Sequence, residues 1–333
     1  MRFFAALLLA LFVTDAAGQS WRYPAPVDGG LALIDSTGKR VGDAVFESVP
    51  AFDGPVGAAR RDGRWGLIDR SGAWVVEPRY GEASAHGNRV LARDAQGWHL
   101  LDASGRTLTS EPYAAISPPG DGVAAFQELS PGRGKEGKWG LLSADDGRVV
   151  LRPELDAAGV PAEGLVPAAR YRKLIFLRLE RRWGYVDQAG QWRIEPLFGF
   201  ARTFSDGLGL ATDGRAGVYL DASGDTVLVA EHALVASFSD GLARFGEPGS
   251  QGFMDVEGAV RIEARFEAAS DFRNGRAAVR QDGRWGYIDT TGAWVVPPTF
   301  ETAGTFQGGL TLVRFQGRHQ YIDLQGNVIW QQN

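Results

Sequence analysis

Residues 132–139, GRGKEGKW, have the spacing with which backbone amides and a lysine can cradle phosphates: they satisfy GxGxxG and, through Gly137 and Lys138, GxxxxGK. Such a loop must leave a strand and open a helix so that its N–H groups converge on the anion. Here Trp139 stands where a Ser or Thr would hold magnesium, and no helical period follows. Nucleotide chemistry is therefore set aside, and the basic residues take a different reading. Arg133, Lys135 and Lys138, with Arg172, Lys173, Arg178 and Arg181 further on, cluster against Glu136 and Glu180 in a chain of net charge −5. Positive charge gathered in an acidic chain suits an anionic polymer, a membrane surface or an acidic protein. The alternative is a solvated extension of two hairpins with no partner.

Other chemistry-bearing residues are better explained by structure. The four histidines, His86, His99, His232 and His319, show no metal-ligand spacing, and a chain without cysteine has no Cys/His set for zinc. HExxH and GxSxG are both absent. Asp69, Asp187 and Asp289 belong to a ladder of aspartates, each followed three residues later by Gly. Calcium needs several oxygens within one loop, whereas one Asp and one Gly at this spacing make a capped turn. Trp65, Trp139, Trp183 and Trp285 share one slot; their rings could stack on sugars, but a slot common to many copies points first to a packing layer. No acid stands apart in an apolar setting, as a glycosidase pair requires. No catalytic residue, cofactor site or metal site is assigned.

The elements that must position these residues are copies of one another. Aligned on the Asp slot, the chain repeats at Asp35, Asp69, Asp102, Ser143, Asp187, Asp221, Asp255, Asp289 and Asp323, with steps of 34, 33, 41, 44, 34, 34, 34 and 34. A fixed period of this size marks a repeat architecture. Each unit reads as three strands: a short run such as RAAVR, then WGYID, then AWVVPP, with Asp-x-x-Gly turning the second into the third. The spacer that follows carries paired aromatics such as Phe266 and Phe272, and its three-residue steps suggest a single helical turn or a tight crossing. The longer steps come from enlarged turns near residues 127–138 and 172–182, in two consecutive units.

Residues 1–18 combine Arg2, an apolar run from Phe3 to Val13 and small residues to Gly18, the pattern of a secretory signal peptide. An exported, soluble protein is expected, periplasmic, secreted or envelope-associated, with no membrane span. With no cysteine, its stability must come from a large continuous core, for which 44% hydrophobic residues suffice. The mild negative charge argues against nucleic acid as a partner.

The segments Arg64 to Asp69, Lys138-Trp139-Gly140, Arg182 to Asp187 and Arg284 to Asp289 closely resemble the bacterial WG (KWG) repeat family. The resemblance covers nearly all of residues 19–333, read as a single repeat domain, and departs at Trp98-His99, Gly217-Val218, Gln251-Gly252 and His319-Gln320. It implies an all-β repeat protein with a binding role and no catalytic residue. We expect about nine three-stranded antiparallel units in an open superhelical solenoid, with a closed β-propeller as the alternative. We expect a non-enzymatic binding or scaffolding protein of the bacterial envelope. A glycan-binding, lectin-like protein is the second reading and a carbohydrate-active enzyme the third.

Overall fold

The computed structural model describes residues 21–130, 132, 137–173, 179–212, 216–230, 232 and 234–333, with backbone alone at 173 and 179. The expected signal peptide lies outside the described residues. Among them there is no helix, and the strands form nine antiparallel sheets, six of four strands and three of three. The eighth shows how sequence becomes blade: Ala268–Ala269, Ala277–Gln281, Arg284–Ile288 and Trp294–Phe300 pair in chain order. Asp282 and Gly283, at φ of 51° and 74°, make the two-residue turn between its second and third strands.

Both faces of a blade are buried, which is why these strands read as nearly continuous apolar runs. Ala277, Val279 and Ile288 pack toward blade seven with Phe253 and Phe266, while Ala278 and Tyr287 pack toward blade nine with Phe306 and Val313. The paired aromatics of the spacer are the joints. Phe272 meets Phe253 of the preceding blade at 4.7 Å between ring centroids, and Phe306 meets Tyr287 at 5.0 Å. Burial of one such ring is worth about 1.5–3 kcal/mol. Where the third strand carries Tyr, its hydroxyl also donates across the joint: Tyr185 to the Arg202 carbonyl at 2.8 Å, Tyr219 to Ala236 at 2.6 Å and Tyr287 to Gly304 at 2.8 Å.

The spacer is not helical. Its first residues form a two-residue strand, as at Thr302–Ala303, which pairs with Arg314 and Val313 and becomes the first strand of the next blade. A strand this short has no periodicity to betray it, so six of the nine described sheets hold four strands where the sequence leads to the expectation of three. The expected open solenoid is corrected to the alternative, a closed propeller of nine blades, since a fourth strand makes such a unit a propeller blade.

Among the described residues, closure is made by side chains rather than by strand exchange. Tyr23, Ala25 and Ile34 of blade one share a core cluster with Leu310 and Tyr321 of blade nine. The Tyr23 hydroxyl donates to the Gly308 carbonyl at 2.7 Å, and that of Tyr321 to the Pro24 carbonyl at 3.0 Å. Among the described residues blade one has no first strand, so Tyr23–Val27 stands at its sheet edge. Pro24 and Pro26 fit there because an edge strand needs fewer donors. The apolar face of blade one is covered by the last blade. The segments that lead into the second strands converge, since Arg273, Gln307, Trp21, Asp53 and His86, from five consecutive blades, line one cavity of about 270 Å³.

Candidate functional site

The two enlarged turns lie in the hairpins between second and third strands of blades four and five. In blade five these strands, Leu165–Lys173 and Leu179–Asp187, run nine residues each and pair through to Lys173 and Leu179, whereas the equivalent strands of blade eight have five. The alternation of Arg, Tyr and Arg at 170–172 with Arg181 and Arg182 opposite continues the ladder past the rim at which other blades turn. Arg133, Lys135 and Arg178 lie outside the described residues, as does the side chain of Lys173.

Asp156, just before the first strand of blade five, holds the two hairpins together. Its carboxylate pairs with Lys138 of blade four and accepts the Tyr171 amide at 2.7 Å. The cationic groups are largely matched: Arg170 pairs with Glu154, and Arg182 with Glu180 at 2.7 Å. Arg172 donates to the Pro196 carbonyl at 3.3 Å. Arg181 lies over the Tyr171 ring, 5.3 Å from its centroid, and donates to its hydroxyl at 3.1 Å. The site is thus less a bare positive patch than a stiffened hairpin with Arg and Tyr at its surface. Tyr171, 49% exposed, was missed from sequence, although it sits between Arg170 and Arg172 and an exposed aromatic among arginines is a binding signature.

The structural residues occupy a different place. Trp65, Trp139, Trp183 and Trp285 are half-buried against the interblade clusters. Asp289 caps its turn: one carboxylate oxygen accepts the Thr291 amide at 2.9 Å, the Thr291 hydroxyl at 2.6 Å and the Ala293 amide at 3.1 Å. Asp69 does the same with Ser71 and Ala73, and Asp187 takes the amides of Ala189 and Gln191.

The Thr291 hydroxyl, opposed in part by burial and aided by the two amides, holds the Asp289 carboxyl below its usual value of 3.8. In Asp102, where Ser104 and Arg106 donate, it falls to about 2. A carboxyl depressed by folding stabilises the protein fully above its unfolded value, and that contribution is lost as pH falls through the folded one. Stability is therefore expected to drop between about pH 4 and about pH 2. Asp289→Ala should cost about 1 kcal/mol at neutral pH, a cap's worth, and flatten part of that acid slope. Calcium-dependent melting of the native protein would contradict a purely structural role.

The WG dipeptide itself has a steric cause. Trp285 pairs with Phe300 and Tyr287 with Val296, so the fourth strand bulges by two residues opposite Gly286. A Cβ on Gly286 would stand 2.5 Å from the Val296 carbonyl oxygen, and on Gly66 2.4 Å from that of Val76. The family model of the WG containing repeat matches residues 65–85, 183–214, 252–285 and 285–318. The chain is a WG-repeat protein.

Among solved structures, this WG-repeat chain is similar to apo AztD from Citrobacter koseri, with 12% identity and a TM-score of 0.47 over 82% of this chain and 93% of that one. It is also similar to puromycin hydrolase, with 16% identity and a TM-score of 0.42 over 74% of this chain and 52% of the other. No curated protein matches it in sequence. No helix among its described residues is long and apolar enough to cross a membrane.

Proposed function

We propose that this WG-repeat propeller is a non-enzymatic binding platform, exported to the cell envelope, which docks an acidic partner on the blade-five hairpin. The observation that carries the reading is the hairpin itself: nine-residue strands whose outer halves carry Arg172, Arg181 and an exposed Tyr171. Tyr and Arg dominate the energetic centres of protein interfaces, and an aromatic stiffened by a neighbouring guanidinium has little entropy to lose on docking. Two further facts support binding over catalysis or sugar stacking. The carboxylates of the Asp slot are engaged by turn amides, and the WG tryptophans turn their rings to the blade interfaces.

Replacing residues 171–181 by the two-residue turn of blade eight tests the proposal. The shortened protein is expected to melt as the parent does, since the surplus residues lie beyond the packed part of the blade. Binding of poly-L-glutamate to the parent should weaken as ionic strength rises from 0.01 to 1 M, over which the screening length falls from about 30 to about 3 Å. The shortened protein should not bind. Equal binding by both proteins would place the site elsewhere.

A further inference from the structure

The third-strand slot filled by Trp65, Trp98, Trp139, Trp183 and Trp285 is occupied in every blade but one. Blade one places Leu31 there and blade nine His319, whose Nδ1 lies 3.1 Å from the Gln332 side-chain oxygen. In blade seven Gln251 fills it, nearly buried, and its side-chain oxygen accepts the Ala269 amide of the next blade at 2.9 Å. Blade six has Gly217. Val235 of blade seven moves into the base of that slot, 2.6 Å from where a Cβ on Gly217 would stand. The remaining space is a cavity of about 340 Å³ lined by Phe200, Arg202, Leu210, Gly217, His232 and Leu234. A second cavity of about 340 Å³, beside Trp183 and Thr203, shares Phe200 and Arg202 with the first.

We propose that the groove left by the absent tryptophan of blade six binds a small aromatic carboxylate, its ring against Phe200 and Leu234 and its anion on Arg202. Three observations converge on that chemistry. The void takes the place of an indole ring, and in blade five the corresponding indole of Trp183 packs edge-on to Phe200, with centroids 5.7 Å apart. Phe200 is 47% exposed on the blade-six side of that contact, an uncovered aromatic surface whose quadrupole favours a second edge-to-face or offset ring. Arg202 pairs with no carboxylate among the described residues, and its exposed guanidinium borders both cavities with the planar donor fork that a carboxylate matches. The groove mixes apolar side chains with Arg202 and His232 and lies at the small end of the range of about 300–1,000 Å³ in which small-molecule sites fall. This site is separate from the hairpin, and neither needs the other.

Indole-3-acetate serves as the probe, with indole and acetate as controls, in saturation-transfer NMR and calorimetry on the whole protein. Native protein should bind indole-3-acetate, with indole bound about tenfold more weakly and acetate not detectably, because a charge-assisted pair is worth roughly a factor of ten or more. Arg202→Gln should lower the affinity for indole-3-acetate about tenfold and erase its advantage over indole. Phe200→Ala should lower binding of both ring compounds. Both side chains are exposed, so unchanged melting temperatures will show the variants to be folded. The proposal is overturned if native protein shows no saturation transfer from indole-3-acetate, if it binds indole equally well, or if both variants keep the native affinity.

Discussion

Tyr321→Ala is expected to lower the unfolding free energy by about 3–5 kcal/mol, the cost of deleting a buried aromatic, because this ring closes the propeller. Tyr321 is 4% exposed and its centroid lies 5.5 Å from that of Tyr23, which is 1% exposed. Each donates its hydroxyl to a carbonyl on the far side of the seam. Tyr23→Ala should cost a similar amount, but the double variant should cost less than the sum. Residues in contact couple by about 0.5–3 kcal/mol, whereas independent ones add within about 0.3–0.5 kcal/mol. Urea unfolding of the four proteins measures the difference. Additive losses would mean that blades one and nine do not meet in solution. Small-angle scattering gives a second readout, since loss of the seam lets the ring open and its radius grow.

The other large effect is predicted at the glycine of the repeat signature. Gly286→Ala adds one methyl group, yet its carbon would lie 2.5 Å from the Val296 oxygen, 2.8 Å from the Pro297 carbonyl carbon and 2.8 Å from the Trp294 ring. Two of these are backbone atoms of the neighbouring strand and cannot rotate away. Relief requires the fourth strand to shift and the bulge that seats Trp294 to open. We expect a cost of about 3 kcal/mol, at the upper end for overpacking. Gly81→Ala is the control, because a Cβ there meets only the Arg93 carbonyl oxygen at 3.6 Å and its backbone angle is ordinary. That change should be small, within about 0.5 kcal/mol, as is usual for sites without steric conflict. Equal losses at the two glycines would refute the bulge as the reason for the WG motif.

The binding features divide in the same way as these predictions. The lengthened hairpin of blade five was legible because an insertion breaks a period, and its basic residues could be counted. Their pairing was not: Glu154 and Asp156, which meet Arg170 and Lys138, come from the preceding blade and its crossing, at separations no local pattern reveals. The groove was half legible. Gly217 showed that blade six lacks the repeated tryptophan, but Gln251 looked like the same gap, and only tertiary contacts distinguish a slot plugged by hydrogen bonds from one left open.

For the fold, periodicity alone determined the number of units, the all-β class and the Asp-capped turns, because each depends on residues within one repeat or its immediate neighbour. Two matters lay beyond it. Two-residue first strands such as Ala268–Ala269 are made by pairing with Val279 and Arg280 rather than by any propensity of their own. Ring closure depends on contacts nearly 300 residues apart, such as Tyr321 to Pro24, at a separation of 297. Identical units can stack into an open superhelix or a ring with the same local contacts. The choice between them is made by the small rotation accumulated from blade to blade, which brings the apolar faces of the first and last blades together so that each buries the other.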